Sequence, residues 1–355
     1  MDFLDLVKEK IKEVPIGAWV PYYDKDLILD YLKDIKNVGI NYIPARDSKK
    51  ETLDLIKESG LYAIVNDDRV VYSNIHTLNE IHNYLDDYID HDAYFMSFIW
   101  DEPSPTMMYF SSAILKQVEK AKEKAIGYVN LHPNYSDVIT QREGLSYDEY
   151  IEHFIKLHNP KVLSFDNYPF YTDKNDLNSY ITNLLSISAY SKKYNIPFLF
   201  FVQSAGFQSC RNVGFEEMSL LVNLGMGFGA KGYLYFTYAE VTHEEGFKEG
   251  LLDKELNKTE RYYYAKEINN TIQKNASFFL DSSFVGVKFY DSEFSHLSNI
   301  DIPFEVKGNS IMVSVFNYRD KNVYYVVNLD FKANNNFTFN GLEYKIKAGG
   351  AVIIR

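Results

Sequence analysis

The sequence predicts a (β/α)8 barrel followed by a small antiparallel β domain. Over residues 1–276, eight short apolar or aromatic runs alternate with segments in which apolar residues recur at helical spacing. Over residues 277–355, apolar and polar residues alternate instead, and Gly, Asn and Asp break the runs. Eight strand–helix repeats over about 250 residues are typical of a (β/α)8 barrel. An open doubly wound sheet is the alternative, but no glycine-rich phosphate loop follows the first run.

The eight apolar runs are the predicted barrel strands, and they begin roughly 22 to 36 residues apart. They read IGAWVPY from Ile16, INYIPA from Ile40, YAIVND from Tyr62, YFMSFIWDE from Tyr94, IGYVNLHP from Ile126, VLSFDNYPF from Val162, PFLFFVQSAG from Pro197 and GYLYFTYAE from Gly232.

The segments between these runs have the spacing of amphipathic helices. In DLILDYLKDIKNVG, apolar side chains from Leu27 to Ile35 form one stripe, and Gly39 is a stop signal. The same pattern recurs in TLNEIHNYLDDYI, SYDEYIEHFIKLH, LNSYITNLLSISAYSKKY and FEEMSLLVNLGM. Each helix therefore follows a strand, as the barrel requires.

The C-terminal part reads as short strands. The runs are VGVKFY, IPFEV, SIMVSVFNY, NVYYVVNLD, NNFTFN, LEYKIKA and GAVIIR. No low-complexity linker precedes them, so we expect this β domain to pack rigidly against the barrel and to carry no catalytic residue.

Composition narrows the class of partner. The chain has 355 residues, 46% of them hydrophobic, and a formal net charge of −12. This charge argues against nucleic acid or an anionic membrane as a partner. The N-terminus lacks a signal-peptide pattern and no apolar run is long enough to span a membrane, so we expect a cytoplasmic protein. With a single cysteine and no His-x-His or His-Glu-x-x-His pattern, we expect no metal and no cofactor.

The ends of the predicted strands supply the candidate site residues, because a barrel of this kind carries its active site at the C-terminal ends of its strands. In chain order these residues are Trp19, Arg46, Asn66, Trp100, Asp101, Glu102, Asn130, His132, Asn134, Asp166, Tyr168, Gln203, Tyr238 and Glu240. The set is polar, acidic and aromatic, with little positive charge. Flat rings stack on sugar C–H faces, and amides and acids bind hydroxyl groups, so the set favours a carbohydrate over a phosphorylated substrate.

Asp101 and Glu102 are the most specific feature of this set. They directly follow the apolar run SFIW, so we expect at least one of them to point into the barrel mouth. The competing interpretation is a helix cap in DEPSPT, but the capping candidates Ser104 and Thr106 come after the acids. Hydrolysis of a glycosidic bond needs an acid at the leaving oxygen and a group that stabilises positive charge at the anomeric carbon. This pair has the residue types for both tasks.

The motif WDEP resembles the strand-4 acid/base motif of barrel glycoside hydrolases, whose common form is Asn-Glu-Pro. YVNLHPNY, VLSFDNYPF, FFVQSAG, GAKGYLYFTY, GLLD and TERYYYAKEIN follow in order, and together with the C-terminal β domain they resemble the layout of family 42-like β-galactosidases. The resemblance implies that Glu102 is the general acid/base. Two departures stand out: Asp101 replaces the usual Asn, and Gln203 stands where that clan places its nucleophilic Glu.

An adjacent Asp-Glu pair also resembles the substrate-assisted hexosaminidases of families 20 and 123. That resemblance implies that Asp101 holds the substrate's acetamido group, which attacks the anomeric carbon, while Tyr168 or Tyr238 bonds the acetamido oxygen. No protein nucleophile is needed, so Gln203 is either a substrate ligand or a structural amide.

Three alternatives stay open. Asp166 or Glu240 is the second carboxylate of a retaining or inverting glycosidase. In the second alternative, the chain is a non-catalytic carbohydrate-binding barrel; the absence of a carboxylate at position 203 keeps this alternative open. In the third alternative, the barrel is a lyase or isomerase that uses paired acids on a divalent metal. The preferred hypothesis is a hydrolase of small oligosaccharides that uses Glu102 as acid/base, assisted by Asp101.

Overall fold

The computed structural model describes residues 1–20, 29–74, 76–139, 144–241 and 246–355. Eight parallel strands form the central sheet. They are β1 (Ile16–Ala18), β2 (Tyr42–Ala45), β3 (Tyr62–Val65), β4 (Tyr94–Asp101), β5 (Gly127–Asn130), β6 (Leu163–Phe165), β7 (Phe198–Gln203) and β8 (Gly232–Phe236).

The sheet closes on itself as a barrel. Its strands neighbour each other in the order β5, β4, β3, β2, β1, β8, β7 and β6. A parallel bridge between Leu131, just after β5, and Phe165 joins the two ends of the sheet. The Leu131 N–H donates to the Ser164 carbonyl oxygen at 2.8 Å across this seam. The predicted (β/α)8 barrel is confirmed, and each of the eight predicted barrel strands begins within two residues of an observed one.

Helices of varied length connect the strands. They are α1 (Phe3–Leu6), α2 (Leu29–Asn37), α3 (Lys50–Glu58), α4 (Asp68–Val71), α5 (Ile81–Asp86), α6 (Met108–Ala121), α7 (Tyr147–His158), α8 (Leu177–Tyr194), α9 (Phe215–Gly227), α10 (Glu260–Gln273) and α11 (Ala276–Asp281). A π-helical turn spans Val7–Ile11, and 3₁₀ turns span Leu78–Glu80 and Ser295–Leu297. Residues 26–28 of the predicted first amphipathic stretch lie outside the described residues.

Large side chains fill the barrel interior, and one glycine makes room for them. A Cβ added at Gly17 of β1 would lie 2.6 Å from the Tyr42 ring of β2 and 3.0 Å from Leu234 of β8. Tyr42 is fully buried and its ring also packs at 5.4 Å against Phe95. At this level side chains therefore fill the interior of the barrel.

The C-terminal region is antiparallel β structure, as predicted, and its strands form two sheets. Its strands are β9 (Ser283–Tyr290), β10 (Val306–Lys307), β11 (Ile311–Tyr318), β12 (Lys321–Asn328), β13 (Asn335–Phe339), β14 (Leu342–Ile346) and β15 (Ala351–Ile354). One sheet has the order β15, β12, β11, β9, and the other has the order β10, β13, β14. Helix α11 spans the expected boundary at residues 276/277, so the first strand begins later than the change of sequence pattern indicates.

The four-stranded sheet packs against α9 through polar as well as apolar contacts. The Tyr325 hydroxyl donates to Asn223 Oδ1 at 2.6 Å, and Asn223 Nδ2 donates to the Gly349 carbonyl oxygen at 2.9 Å. The buried Lys231 ammonium donates to the carbonyl oxygens of Phe279 and Ser282, at the junction between barrel and sheet. Because these groups are buried, their hydrogen bonds hold the sheet in one position on the barrel.

Among the described residues, no helix combines the length and the apolar character that crossing a membrane requires.

Candidate active site

A cavity of about 900 Å³ opens at the C-terminal end of the barrel strands. Its walls come from β1, β4, β5, β6, β7 and β8 and from the loops that follow them. The lining residues are Trp19, Val20, Phe98, Asp101, Glu102, Tyr128, Asn130, His132, Pro133, Tyr135, Ser136, Asp137, Asp166, Tyr168, Phe201, Phe207, Gln208, Phe236, Val241 and Phe247.

A β-bulge in β4 turns Asp101 toward this cavity. Phe98 pairs with Tyr128 of β5, but the next pair joins Trp100 to Val129, so Ile99 has no partner in the register. Side chains normally alternate between the two faces of a strand, and the extra residue shifts this alternation by one. Phe98 and Asp101 therefore both line the cavity. The Trp100 ring instead packs edge-on against Phe110 of α6, at 6.2 Å, so this predicted substrate platform lies outside the lining.

Glu102 follows the bulge in a left-handed backbone conformation, with φ of 46°. Its N–H donates to the Asn130 carbonyl oxygen at 2.8 Å, which fixes the turn after β4 to β5. The Glu102 side chain is 37% exposed, and its Oε1 lies 3.4 Å from His132 Nδ1. The Tyr150 hydroxyl donates to the Pro103 carbonyl oxygen at 2.9 Å and accepts from the His132 N–H at 3.3 Å. Glu102 is thus held beside an imidazole while its carboxyl group faces the cavity.

Asn130 links two carboxyl groups. Its Nδ2 donates to Asp101 Oδ1 at 3.2 Å and to Asp166 Oδ1 at 2.8 Å. Its Oδ1 accepts from the Ser164 hydroxyl at 3.1 Å, and Ser164 in turn bonds the Tyr128 hydroxyl at 2.8 Å. This chain fixes the amide with its nitrogen toward the acids. Since both Asp oxygens bond one nitrogen, they lie no more than about 6 Å apart.

The acidic groups raise one another's pKa. Burial and then the Glu102 charge raise the pKa of Asp101 to about 6, against the lowering effect of the Asn130 hydrogen bond. Burial, followed by the charges of Glu102 and Asp101, raises the pKa of Asp166 well above its usual range. Asp101 is open to the cavity, so water there reduces the effect of burial on its pKa. The pKa of Asp166 is therefore raised more than that of Asp101. Two unit charges 6 Å apart repel by about 3 kcal/mol at an effective dielectric of about 20, or about two pH units.

Positive charge is scarce in this cavity. The described lining residues include no Lys or Arg, and His132 is the basic side chain among them. Among the same described residues, no three His, Cys, Asp or Glu side chains group as they would around a metal ion.

Aromatic rings form the opposite wall. The half-buried Trp19 at the end of β1 packs at 6.4 Å from Phe98. Tyr168, which follows β6, packs at 5.0 Å from Phe207 and 5.3 Å from Phe236, and Phe247 stacks on Phe207 at 5.6 Å. The sequence reasoning selected Trp19 and Tyr168 but missed Tyr128, Phe98, Phe207, Phe236 and Phe247. Phe236 is the last residue of β8, so its position at the C-terminal end of a strand could have identified it as a candidate.

Gln203 faces away from the cavity. It is fully buried at the end of β7. Its Oε1 accepts from the Phe170 N–H at 3.0 Å, and its Nε2 donates to the carbonyl oxygens of Phe170 and Arg211, both at 2.9 Å. Because backbone groups satisfy the whole amide, the geometry agrees with the second of the two roles that the sequence leaves open for Gln203, a structural amide that fixes the loops after β6 and β7.

Further strand-end residues also lie outside the lining. The Tyr238 ring is buried against Tyr31 at 5.6 Å and does not line the cavity, so the structure does not place it where it would bond an acetamido group. Asn134 bonds Ser179 and Thr182 of α8. The other predicted residues that do not line the cavity are Arg46, Asn66 and Glu240. Position at a strand end does not give the direction of a side chain.

Comparisons with known proteins show the fold. No family model matches the chain, and no curated protein matches its sequence. Among solved structures, it is similar to the cold-adapted β-galactosidase of Rahnella sp. R3 at a TM-score of 0.62 and 11% identity, covering 82% of this chain and 60% of that one.

Two other β-galactosidases match in the same way. The enzyme of the psychrophilic Marinomonas ef1 gives a TM-score of 0.58 at 9% identity, with 77% of this chain and 62% of that chain covered. A GH42 enzyme of G. stearothermophilus gives 0.56 at 12% identity, with 75% and 57% covered. The chain thus spans about three fifths of the length of these relatives. It shares with them the (β/α)8 barrel that the sequence resemblance implied.

Proposed function

We propose that this protein is a glycoside hydrolase that cleaves small oligosaccharides, with Glu102 as the general acid/base. One observation carries the proposal: Asp101, Glu102 and Asp166 converge on one cavity whose opposite wall is aromatic. Acids suit glycosidic bond cleavage, and flat rings suit the C–H faces of a sugar. The β-galactosidase-like fold supports the same class of reaction. None of the described residues after Phe247 lines this cavity, so the C-terminal sheets serve the barrel as support.

The first route that we propose is substrate-assisted. Glu102 donates a proton to the leaving oxygen as the bond from that oxygen to the anomeric carbon breaks. The carbonyl oxygen of the substrate's own 2-acetamido group forms a new bond to that carbon, giving a positively charged oxazoline ring. Asp101, held by Asn130, accepts the acetamido N–H and stabilises this charge. Water, deprotonated by Glu102, then opens the ring. His132, 3.4 Å from Glu102, steadies the acid/base as its charge changes.

This route needs no protein nucleophile, which agrees with a β7 that ends in a structural Gln203. The alternative is a galactosidase-like hydrolase with Asp166 as the second carboxylate. Glu102 and Asp166 line the same cavity, and the separation of these two carboxyl groups decides between a retaining and an inverting reaction. Glu240, the other candidate, does not line the cavity.

A substrate and inhibitor panel tests the proposal. Nitrophenyl glycosides with and without a 2-acetamido group are assayed with the unsubstituted protein and with Glu102→Gln. We expect turnover of the acetamido sugars that Glu102→Gln loses, and inhibition by a thiazoline analogue. Equal turnover of sugars without the acetamido group, with a fluorosugar adduct on Asp166, would replace this route by the galactosidase-like one. Sugar binding with no turnover of any member would leave a carbohydrate-binding barrel.

A further inference from the structure

Asp166 occupies the floor of the acid cluster, at the end of β6. We infer that Asp166 serves this cavity as a hydrogen-bond donor in its neutral acid form, and not as a charged second carboxylate. The inference deepens the proposed function and rests on it for the identity of the ligand, a sugar oxygen. This role differs from the two roles that the position of Asp166 at a strand end suggests, which are a nucleophile and a structural acid at the barrel rim.

The geometry around Asp166 supplies mainly negative charge, and His132, the basic side chain of the described lining, lies beside Glu102, with its Nδ1 3.4 Å from Glu102 Oε1. Asp101 and Glu102 face it from the end of β4, and Asn130 lies between Asp101 and Asp166. The Asp166 charge also raises the pKa of five neighbouring tyrosines, all of which are neutral acids: Tyr128, Tyr135, Tyr147, Tyr150 and Tyr168. Among the described lining residues no Lys or Arg offsets these charges. Three carboxylates in so small a space repel, and one proton on the most enclosed of them relieves the repulsion.

The Asn130 amide acts against this effect but cannot reverse it. Its Nδ2 donates to both Asp101 and Asp166, which favours the charged form of each. Burial and the charges of Glu102 and Asp101 act on Asp166 in the other direction and raise its pKa. Asp101 is the more open of the two, so the negative charge belongs on Asp101 and the proton on Asp166.

This arrangement makes the two aspartates complementary. Asp101, ionised, can only accept hydrogen bonds, and Asp166, protonated, can donate one. Because Asn130 Nδ2 bonds Oδ1 of both residues, the two carboxyl groups lie side by side and present an acceptor and a donor to the same cavity. A sugar substituent or hydroxyl pair that offers one hydrogen and one oxygen fits such a floor. Asp166 is therefore a substrate-binding group whose oxygen does not attack the anomeric carbon.

Two substitutions at Asp166 test the role by kinetics. Asn is isosteric with the neutral acid and keeps a donor, whereas Ala removes it. We expect Asp166→Asn to lower kcat/KM by up to about tenfold and Asp166→Ala by about a hundredfold. Asn keeps a donor for the hydrogen bond to the substrate, whereas Ala loses that hydrogen bond altogether. A nucleophile behaves differently, because Asn then loses at least about 10⁴-fold and is no better than Ala. That outcome, or rescue of Asp166→Ala by azide, overturns the inference.

A spectroscopic measurement tests it without any substrate. Infrared difference spectra at about pH 7 should show a neutral carboxylic acid band in the unsubstituted protein that is absent from Asp166→Asn. If Asp166→Asn does not fold by circular dichroism, carbon NMR of aspartate-labelled native protein should show one cavity carboxyl group that stays protonated above about pH 7. A charged Asp166 in whichever of the two measurements is made overturns the inference. Because neither needs turnover, the inference and the proposed hydrolase fail separately.

Discussion

The two halves of the cavity differ in how their side chains are held. The acidic half, from β4 to β6, is a hydrogen-bonded chain in which Tyr128, Ser164 and Asn130 fix the positions of Asp101 and Asp166. The aromatic half, from β7 through β8 to β1, consists of rings that touch each other by their faces and edges. Directed hydrogen bonds set the orientation and charge of reacting groups, whereas ring contacts set mainly shape.

This difference separates two kinds of expected effect. Substitutions in the acidic half should change turnover and its dependence on pH. Substitutions in the aromatic half should change affinity. If a substitution in the acidic half changed mainly affinity, or one in the aromatic half changed mainly turnover, the two halves would not be independent.

The largest effect is expected at Glu102. Glu102→Gln keeps the shape of the side chain but removes the transferable proton, so turnover should fall by about 10² to 10⁴-fold with KM nearly constant. Steady-state kinetics on the best glycoside measure this. The matched control is Glu58→Gln, an exposed position on α3 outside the cavity. Wild-type turnover by Glu102→Gln would remove Glu102 from the site.

A stability effect is expected at Gln203, which joins the loops of both halves. Gln203→Leu leaves the Phe170 N–H and the Arg211 carbonyl oxygen without partners and removes one of two hydrogen bonds to the Phe170 carbonyl oxygen, so the free energy of unfolding should fall by about 2–4 kcal/mol. Denaturant unfolding measures it. Gln203→Glu should form no fluorosugar adduct, because this side chain faces away from the cavity. An adduct on Glu at position 203 would contradict the assignment of Gln203 as structural.

Asn130 should control the pH dependence of the acidic half. Its hydrogen bond lowers the pKa of Asp101, which the surroundings raise to about 6. Activity that needs ionised Asp101 is lost as the pH falls through this pKa. Asn130→Leu removes the bond, so the acidic limb of kcat/KM should move upward by about one pH unit. Asn178→Ala, at an exposed position on α8, is the control. An unchanged acidic limb would show that Asn130 contributes only packing.

The smallest effect is expected from the aromatic half. Phe247→Ala and Trp19→Ala each remove one ring from the cavity wall, so KM should rise by about 3 to 10-fold, and more than kcat falls. Tyr72→Ala is the matched control, since Tyr72 is 77% exposed and lies outside the cavity. A fall in kcat that exceeds the rise in KM would mean that the rings position the reacting groups directly.

Sequence periodicity predicts the barrel well because parallel strands and their covering helices leave a strong pattern. The site is predicted only in part. The acidic half was accessible, since Asp101, Glu102, Asn130, His132 and Asp166 end consecutive strands and all line the cavity. The residues that do not line it differ in their surroundings, since Gln203 and Tyr238 are buried whereas Arg46 is exposed.

Two local effects escape a sequence pattern. The bulge in β4 reverses the alternation, so Trp100 packs outside while Asp101 faces inward. Phe207 and Phe247 reach the cavity from loops, where no period relates sequence position to direction. Gln203 shows the converse, because it ends a strand yet bonds only backbone.

The left-handed backbone at Glu102 has a consequence for engineering. Replacing residues of positive φ by glycine is a common way to relieve strain, and this chain offers such positions at Lys12, Leu256 and Arg319. Glu102, with φ of 46°, satisfies the same rule, and a left-handed conformation costs a non-glycine residue roughly 1–2 kcal/mol. A thermostability screen that scores only folding would therefore favour Gly at this position and discard the proton donor. Screens of this barrel should hold residue 102 fixed.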